Sequence, residues 1–210
     1  MTAPTARADH AAPATDAIPG LGRVAQLVLR GDGLTTTSLE VLTGSPITVR
    51  VLAHWVWDMA DGLEALAPAD PAYTGIVPHD VGECARVAHH HLDPGDHERL
   101  LVREILLVDE AGTVHGASAV VAVLDRLPPG VARRLATTDE PIGRTLRAHS
   151  VSVTRVLLRW GLRPAGERAR HLPTAGSPSR RVPARDYVMR LVPGGAPLAV
   201  FTEWFDPGLF

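Results

Sequence analysis

Two pairs of strand-like segments, each joined by a short turn, constrain the fold of this chain more than any other feature. Residues 99–124 (RLLVREILLVDEAGTVHGASAVVAVL) contain two apolar, β-branched runs interrupted at Asp109–Gly112, and residues 187–205 (YVMRLVPGGAPLAVFTEWF) contain two more, interrupted at Gly194–Gly195. Asp and Gly at such positions are typical of tight turns, so each segment predicts a β-hairpin. The chain is therefore expected to build an antiparallel sheet.

Two further segments alternate between apolar and polar residues. The first is PITVRVLAHWVW and the second is VSVTRVLLRWG. A period of two is typical of a half-buried strand. It predicts one shared face for five apolar side chains of the first segment, Ile47, Val49, Val51, Ala53 and Trp55. With the hairpins, these segments predict a sheet of five or six strands.

Two segments have the pattern of helices. DGLTTTSLEVLTG predicts a short helix with Asp32 as its N-cap and Gly44 at its end. PPGVARRLATTDEPIGRTLRAH opens with prolines and continues with helical spacing, broken at Pro141. At 210 residues the chain fits one domain. The sequence thus predicts an α+β fold in which a few helices cover one side of an antiparallel sheet.

Three segments lack a clear periodic pattern. Residues 1–20 are rich in Ala, Pro, Thr and Asp, which predicts a disordered tail before a domain spanning 21–210. Residues 58–96 predict a long connection with one short helix. The Arg- and Pro-rich stretch from Arg163 to Arg185 predicts a surface loop. That stretch has no interleaved aromatic residues, so we do not expect it to bind nucleic acid.

Composition narrows the function further. A formal net charge of −2 gives no argument for nucleic acid or an acidic membrane surface as a partner. No apolar run approaches the roughly 18 residues that span a bilayer, and the N-terminus lacks the apolar core of a secretory signal, so we expect a cytoplasmic location. The lone Cys84 excludes an intramolecular disulfide. The consecutive histidines 89–91, near His79 and His97, do not have metal-ligand spacing, and no metal is predicted.

Charged residues inside apolar strands are the candidates for chemistry. Glu203, in LAVFTEWF, shares a strand face with Ala199, Phe201 and Phe205, and Arg103, in VREILLVD, lies among aliphatic residues in the same way. A buried charge needs a partner or a ligand. One interpretation is a structural ion pair or side chains that reach solvent at strand ends. The other is a ligand site.

Six segments together resemble the chorismate lyase family of the 4-hydroxybenzoate-forming type. They are DGLTTTSLEVLTG, PITVRV, VREILL, DRLP, TTDEPIGRTL and GGAPLAVFTEWF, in this order and at similar spacing. The resemblance extends from about Leu27 to the C-terminus and excludes residues 58–96. It implies a six-stranded antiparallel sheet with helices packed on it and an internal ligand cavity.

The resemblance also implies an activity. The family eliminates pyruvate from chorismate and leaves 4-hydroxybenzoate, with no metal or organic cofactor, here for a pathway of secondary metabolite biosynthesis. Arg103 matches the family's arginine, whose planar fork suits the ring carboxylate. Glu203 matches the family's glutamate, which contacts the hydroxyl side of the product and is expected to act as acid or base. Both are predicted catalytic residues.

Four more positions carry an implication from the family. Leu34 falls at an apolar flap residue before a Thr, which is kept as Thr35. Ile142 and Gly143 fall in a turn that supplies backbone contacts to the ligand, although PIGRTL also fits a plain helical turn. Ser118, or a neighbour, stands where some members have a second arginine. This departure indicates a changed substrate or a lost activity.

Two other functions are alternatives to the lyase activity. The same fold serves as the small-molecule sensing domain of some transcription regulators, and a family member that binds an aromatic acid without turnover is a third alternative. A sensor needs a DNA-binding segment, and the residues before Leu27 are too few and too polar for a helix-turn-helix. The lyase is therefore the first expectation. Its only expected partner is a small-molecule substrate, with neither nucleic acid nor membrane.

Overall fold

The computed structural model describes residues 20–31, 34–58 and 81–210, and the side chains of 81–85 are not part of that description. The predicted N-terminal tail, except for residue 20, lies outside the described residues. The predicted cap Asp32, residues 59–80 of the predicted connection and the Cys84 side chain also lie outside them. The predicted domain boundary at residue 21 stays a prediction.

Within the described residues the chain forms five α-helices and six β-strands, with three short 3-10 helices between them. The helices are α1 (Arg23–Arg30), α2 (Thr35–Thr43), α3 (Val81–His91), α4 (Pro129–Thr137) and α5 (Ile142–Ala148). The strands are β1 (Ile47–Asp58), β2 (Arg99–Asp109), β3 (Val114–Val123), β4 (Val153–Pro164), β5 (Arg181–Leu191) and β6 (Pro197–Phe205). The 3-10 helices are Leu124–Arg126, Gly166–Arg170 and Pro207–Leu209.

The six strands form one antiparallel sheet in the order β1-β2-β3-β6-β5-β4. The β2–β3 and β5–β6 hairpins turn where the sequence predicts, and Gly112, Gly194 and Gly195 have positive φ angles of 86°, 108° and 66°. Glycine tolerates this conformation because it has no Cβ. The predicted α+β fold, a single domain with a six-stranded antiparallel sheet, is confirmed.

The helix boundaries follow their local sequence. Gly44 ends α2 in the left-handed conformation, with its N–H donating to the Glu40 carbonyl at 2.9 Å, as the sequence predicts. The N-cap position of α2 is Leu34, whose side chain makes no capping bond. The predicted break between α4 and α5 is also confirmed, with Pro141 at the N-cap of α5.

Strand β1 does not keep one apolar face, and this part of the prediction is wrong. Its pairing with β2 shifts between Val51 and Ala53, so that one extra residue forms a β-bulge. After the bulge, His54 lies opposite Arg103, on the face that Val51 occupies before it. Ala53 and Trp55 therefore point to the opposite face from Val51.

Helices cover both faces of the sheet, so the prediction that they lie on one side is wrong. One face packs against α1, α2, α4 and α5, through the apolar clusters around Leu39 and Leu135. The other face packs against α3, whose Ala88 contacts Trp55 and Trp57 of β1. The bulge makes this second layer feasible because it turns both tryptophans towards α3. In the described ranges, no helix is long and apolar enough to cross a bilayer.

The Arg- and Pro-rich stretch is largely ordered structure, not the surface loop that its composition predicts. Strand β4 extends to Pro164, the segment around Leu172 packs on the second face of the sheet, and β5 already begins at Arg181. Arg185, placed in the loop by the sequence analysis, is 2% exposed. Burial of the strand face makes this arginine part of the core.

Candidate ligand-binding site

A cavity of about 260 Å³ lies between the sheet and helices α2 and α5. Side chains from all six strands reach it, and its walls are mainly apolar. The five residues with a predicted ligand contact all line it, namely Leu34, Arg103, Ile142, Gly143 and Glu203. The remaining lining residues are Thr35, Thr36, Thr37, Glu40, Val49, Ile105, Leu107, Ser118, Val120, Pro141, Arg144, Arg147, Arg155, Tyr187, Met189 and Phe201.

Strand register brings the polar residues of the cavity floor into one row. Ser118 of β3 pairs with Ile105 of β2 on one side and with Glu203 of β6 on the other. Glu203 in turn pairs with Arg185 of β5. Directly opposed residues of antiparallel strands have Cβ atoms about 4.5–5.5 Å apart. The register thus places an arginine, a glutamate and a serine side by side under the cavity.

Glu203 is held by three donors and is 3% exposed. Its Oε2 accepts from Arg185 Nε at 2.7 Å, and its Oε1 accepts from the Thr35 hydroxyl at 2.7 Å and the Tyr187 hydroxyl at 3.3 Å. The interpretation of Glu203 as half of a structural ion pair is correct, but its partner is Arg185 and not Arg103. The carboxylate belongs to a network that also holds the start of α2.

Arg185 connects this network to helix α1. Its Nη1 donates to the carbonyls of Val28 and Gly31 at 2.7 and 2.8 Å, and its Nη2 donates to the Thr35 hydroxyl at 2.8 Å. Burial opposes its charge, but the Glu203 carboxylate outweighs burial and raises the pKa of Arg185 above its ordinary value. Arg185 therefore stays charged and ties the end of α1 to the floor of the cavity.

The Tyr187 hydroxyl is also fixed in its protonation state. Burial, followed by the nearby Glu203 carboxylate, raises the pKa of Tyr187 well above its ordinary value. Its ring stacks on Phe201, with centroids 4.8 Å apart and planes inclined by 6°. Tyr187 thus presents a rigid aromatic wall to the cavity and keeps its proton for Glu203.

Arg103 lines the cavity, but its guanidinium is largely engaged by the backbone. Nη1 donates to the Glu140 carbonyl, and Nη2 donates to the carbonyls of Leu135 and Thr138, all at 2.7 Å. Three of the five N–H groups of a guanidinium are thereby used. Arg103 is 1% exposed, and its contacts hold the link between α4 and α5 in place. This geometry gives it a structural role.

His54 supports the same link from strand β1. It is 6% exposed, and its Nδ1 lies 3.8 Å from an Asp139 carboxylate oxygen. Burial lowers the pKa of His54, and the charge of Arg103 lowers it further. His54 is therefore neutral at pH 7. Among the described residues its Nε2 has no hydrogen-bond partner.

Three other arginines line the cavity. Arg144 and Arg147 lie on α5, and both are exposed. Within the described residues, neither side chain makes a hydrogen bond or an ion pair. Arg155 of β4 reaches over Tyr187, with its Cζ 5.9 Å from the ring centroid. With Arg103, four arginines face the cavity against the two carboxylates of Glu40 and Glu203.

The predicted backbone turn lies where α5 meets the loop before α2. A Cβ added at Gly143 would come within 3.1 Å of Leu34 Cδ2 and 3.8 Å of Arg155 Nη2. Gly143 therefore allows close packing between two walls of the cavity. Ile142, which is 6% exposed, contributes its side chain to the core between α5 and the sheet.

Ser118 lies beside Glu203 on the cavity floor but takes no part in the network of Glu203, Arg185, Thr35 and Tyr187. It is 3% exposed, and among the described residues its Oγ has no hydrogen-bond partner. The predicted correspondence of Ser118, or a neighbour, with the second arginine of some chorismate lyase-family members stays a prediction. Burying an unpaired hydroxyl costs about 1–3 kcal/mol, so a native structure seldom keeps one without a reason.

Sequence reasoning misses several residues of this site. Arg185 is missed because its Pro-rich surroundings hide the strand, and Arg144 and Arg147 are not singled out because arginines on a short helix are common at protein surfaces. Tyr187 and Arg155 do lie in predicted strands, but a strand pattern does not say which face meets a cavity. Tyr187 lies one strand before Glu203 in the chain and Arg155 lies two strands before it, so neither residue is marked by its sequence neighbours.

No metal site is found in the part of the chain that the structure describes. There, no three side chains of His, Cys, Asp or Glu lie close enough together to hold a metal ion. His79 lies outside that part of the chain.

The fold is similar to that of several solved proteins, among them an effector domain and a possible transcriptional regulator. PhnF from Mycobacterium smegmatis matches with a TM-score of 0.54 at 12% identity, over 86% of this chain and 67% of that chain. The effector domain of PhnF matches with a TM-score of 0.53 at 12% identity, over 85% of this chain and 91% of that domain. A possible transcriptional regulator, YydK from Bacillus subtilis, matches with a TM-score of 0.52 at 11% identity, over 85% and 64%.

These likenesses show the fold alone, which is that of a regulator's effector domain. This chain spans about two thirds of the PhnF and YydK chains. No family model matches the sequence, and no curated protein matches it. The predicted relationship to chorismate lyases is thus supported only at the level of a related fold.

The prediction of a carbon–oxygen lyase is wrong. The solved structures named above are PhnF, its effector domain and a possible transcriptional regulator, and none of these titles names a lyase. The geometry agrees, because Glu203 is tied to Arg185 and two hydroxyl groups, and Arg103 is tied to three backbone carbonyls. The predicted role in secondary metabolite biosynthesis is wrong for the same reason. Without a lyase activity, neither Glu203 nor Arg103 has a catalytic role.

Proposed function

We propose that this domain binds a small aromatic acid without converting it, as the sensing part of a regulator. The observation that carries the proposal is a cavity with an aromatic, apolar wall and an excess of arginines. Ligand sites in proteins combine such apolar walls with a few placed polar groups. The effector domain of PhnF, which has the same fold, supports a regulatory role over a catalytic one.

The size of the cavity suits a single ring. A cavity of about 150 Å³ lined by apolar residues is enough to bind benzene. The cavity here, at about 260 Å³, leaves room for a ring and a carboxylate. The stacked pair of Tyr187 and Phe201 offers a flat surface on which a ring can pack.

The charge of the cavity favours an anion. Four arginines and two glutamates line it, so the positive side chains outnumber the negative ones. A cleft with one prevailing sign of charge concentrates ligands of the opposite sign. A neutral aromatic molecule of the same shape would gain the packing but not this attraction.

A sensor must also pass its state to another part of the protein. The floor residue Glu203 is bonded to Thr35 at the start of α2, and Arg185 bonds the end of α1. A ligand that contacts Glu203 is therefore linked through hydrogen bonds to the first helices of the domain. The prediction that this chain has no nucleic-acid partner stays a prediction, since one protein of similar fold, YydK, is a possible transcriptional regulator.

A thermal-shift experiment tests the proposal. The purified chain is melted with 4-hydroxybenzoate, benzoate and the isosteric neutral benzamide, and binding is then measured by calorimetry. A ligand at 100 times its Kd stabilises a protein by about 2.7 kcal/mol, which raises the Tm of a chain this size by about 5–11 °C. We expect this shift with an acid and not with benzamide.

A matched pair of variants locates the binding. Val120→Trp fills the cavity floor and should abolish the shift, whereas Val121→Ala, whose side chain lies on the opposite sheet face, should keep it. If no aromatic acid changes the Tm or gives a binding isotherm at millimolar concentration, the proposed ligand class is wrong. Equal binding of benzoate and benzamide would remove the argument from charge.

A further inference from the structure

The arginine that sequence predicts as the carboxylate anchor has most of its donors in use. Three N–H groups of Arg103 donate to backbone carbonyls between Leu135 and Glu140. Moving this guanidinium towards a ligand would break the link between α4 and α5. A ligand carboxylate therefore gains little by binding at Arg103, and the proposed function needs another source of positive charge.

Two arginines of α5 have the required freedom. Arg144 and Arg147 are three residues apart, which places both on one side of the helix. Both line the cavity, both are exposed, and within the described residues neither side chain has a hydrogen-bond or ion-pair partner. Exposed guanidinium groups keep their hydration until a ligand arrives, so they can close on a carboxylate without breaking a structural contact.

The floor of the cavity offers the opposite kind of surroundings. Glu203 lies there beside Ser118, whose buried hydroxyl has no partner in the described part of the chain. A carboxylate ligand placed on the floor would lie next to the Glu203 carboxylate, and like charges repel. The charged end of the ligand is therefore disfavoured at the floor and favoured at α5.

We propose that the aromatic acid binds with its carboxylate held by Arg144 and Arg147 at the solvent-exposed side of the cavity, and with its ring pointing to the floor beside Ser118 and Glu203. This inference rests on the proposed function and assigns the anion-binding residues of the same site. In this orientation the carboxylate stays near solvent. The site is then selective for the ring and tolerant of extensions at the acid end.

The first test compares charge removal at three arginines. Arg144→Gln and Arg147→Gln should each weaken binding of benzoate about two- to fivefold, the range for partly exposed ion pairs. Arg133→Gln, on the exposed side of α4 and outside the cavity, should bind like the wild type. Raising the ionic strength from about 50 to 500 mM should weaken benzoate binding by the wild type, because salt screens exposed charges. The double variant Arg144→Gln/Arg147→Gln should be less sensitive to salt.

The second test uses a longer ligand. Hippurate carries the same ring, with its carboxylate displaced by one glycine unit, and should bind within about threefold of benzoate if the acid end faces solvent. A carboxylate anchored inside, at Arg103, would exclude it. The inference is overturned if benzoate binds the wild type but hippurate does not, or if both α5 variants bind benzoate unchanged. Failure of every acid to bind the wild type would instead refute the proposed function.

Discussion

Replacing Arg185 by Met should destabilise the protein strongly, because the substitution leaves the Glu203 carboxylate buried without a cation. Arg185 makes four hydrogen bonds, to Glu203, Thr35, Val28 and Gly31, and is 2% exposed. Removing one partner of a buried ion pair typically costs about 3–5 kcal/mol. For a chain of this size the Tm should fall by roughly 6–20 °C.

The effect of pH gives this prediction a second, independent readout. In the Arg185→Met variant the Glu203 carboxylate loses its cation in apolar surroundings, where burial disfavours the charged form of a carboxyl group. A carboxyl group whose pKa is raised on folding binds its proton more tightly in the folded state, so acid favours folding at this site. The deficit of Arg185→Met relative to the wild type should therefore shrink as the pH falls from 7 towards 5.

Urea unfolding followed by tryptophan fluorescence measures these differences. Arg133→Met is the matched control, since this arginine is exposed on α4, and its free energy of unfolding should change by less than about 0.5 kcal/mol. The double variant Arg185→Met/Glu203→Leu should recover part of the loss, because it removes the buried charge as well. A loss below about 1 kcal/mol in the single variant would refute the reasoning.

Three further predictions concern the walls of the cavity. Gly143→Ala places a Cβ 3.1 Å from Leu34 Cδ2 and should weaken benzoate binding, measured by calorimetry, severalfold. Gly130→Ala, where a Cβ meets nothing within 4 Å, should leave the affinity unchanged, and equal affinities of the two variants for benzoate would contradict this prediction. Arg103→Leu should lower the free energy of unfolding in urea by about 2–4 kcal/mol, because three backbone carbonyls lose a charged donor, and a loss under about 1 kcal/mol would count against the structural role. Folding lowers the pKa of His54, so the unfolded chain binds the His54 proton more tightly and the free energy of unfolding should fall as the pH drops through about 6.5. His54→Gln should flatten this pH dependence, and an unchanged pH profile would exclude His54 as its source.

Most secondary structure was predictable because it depends on neighbours in the chain. Period-two alternation, a glycine with positive φ and a proline at a helix start act over a few residues. The β2–β3 and β5–β6 hairpins, the end of α2 at Gly44 and the break at Pro141 were predicted on these grounds and occur in the structure. Burial of Glu203 was also foreseen, because its strand neighbours are apolar.

The bulge in β1 and the extent of β5 depended on contacts between distant segments. The extra residue at Leu52 reverses the faces of Ala53 and Trp55, and it is tolerated because α3 covers the second face of the sheet. Strand β5 pairs along its whole length with β4, which extends regular structure back to Arg181 in a Pro-rich sequence. A local pattern contains neither the partner strand nor the covering helix.

The hairpins, the end of α2 at Gly44, the break at Pro141 and the position of one charged residue in an apolar strand could all be predicted from the sequence alone. Only the tertiary structure decided which arginine pairs with it, since Glu203 lies opposite Arg185 in the β5–β6 register, while Arg103 lies two strands away and one row along. That register depends on long-range strand pairing, which aligns whole apolar faces. Arg103 is committed to the backbone, whereas the side chains of Arg144 and Arg147 have no partner among the residues that the structure describes.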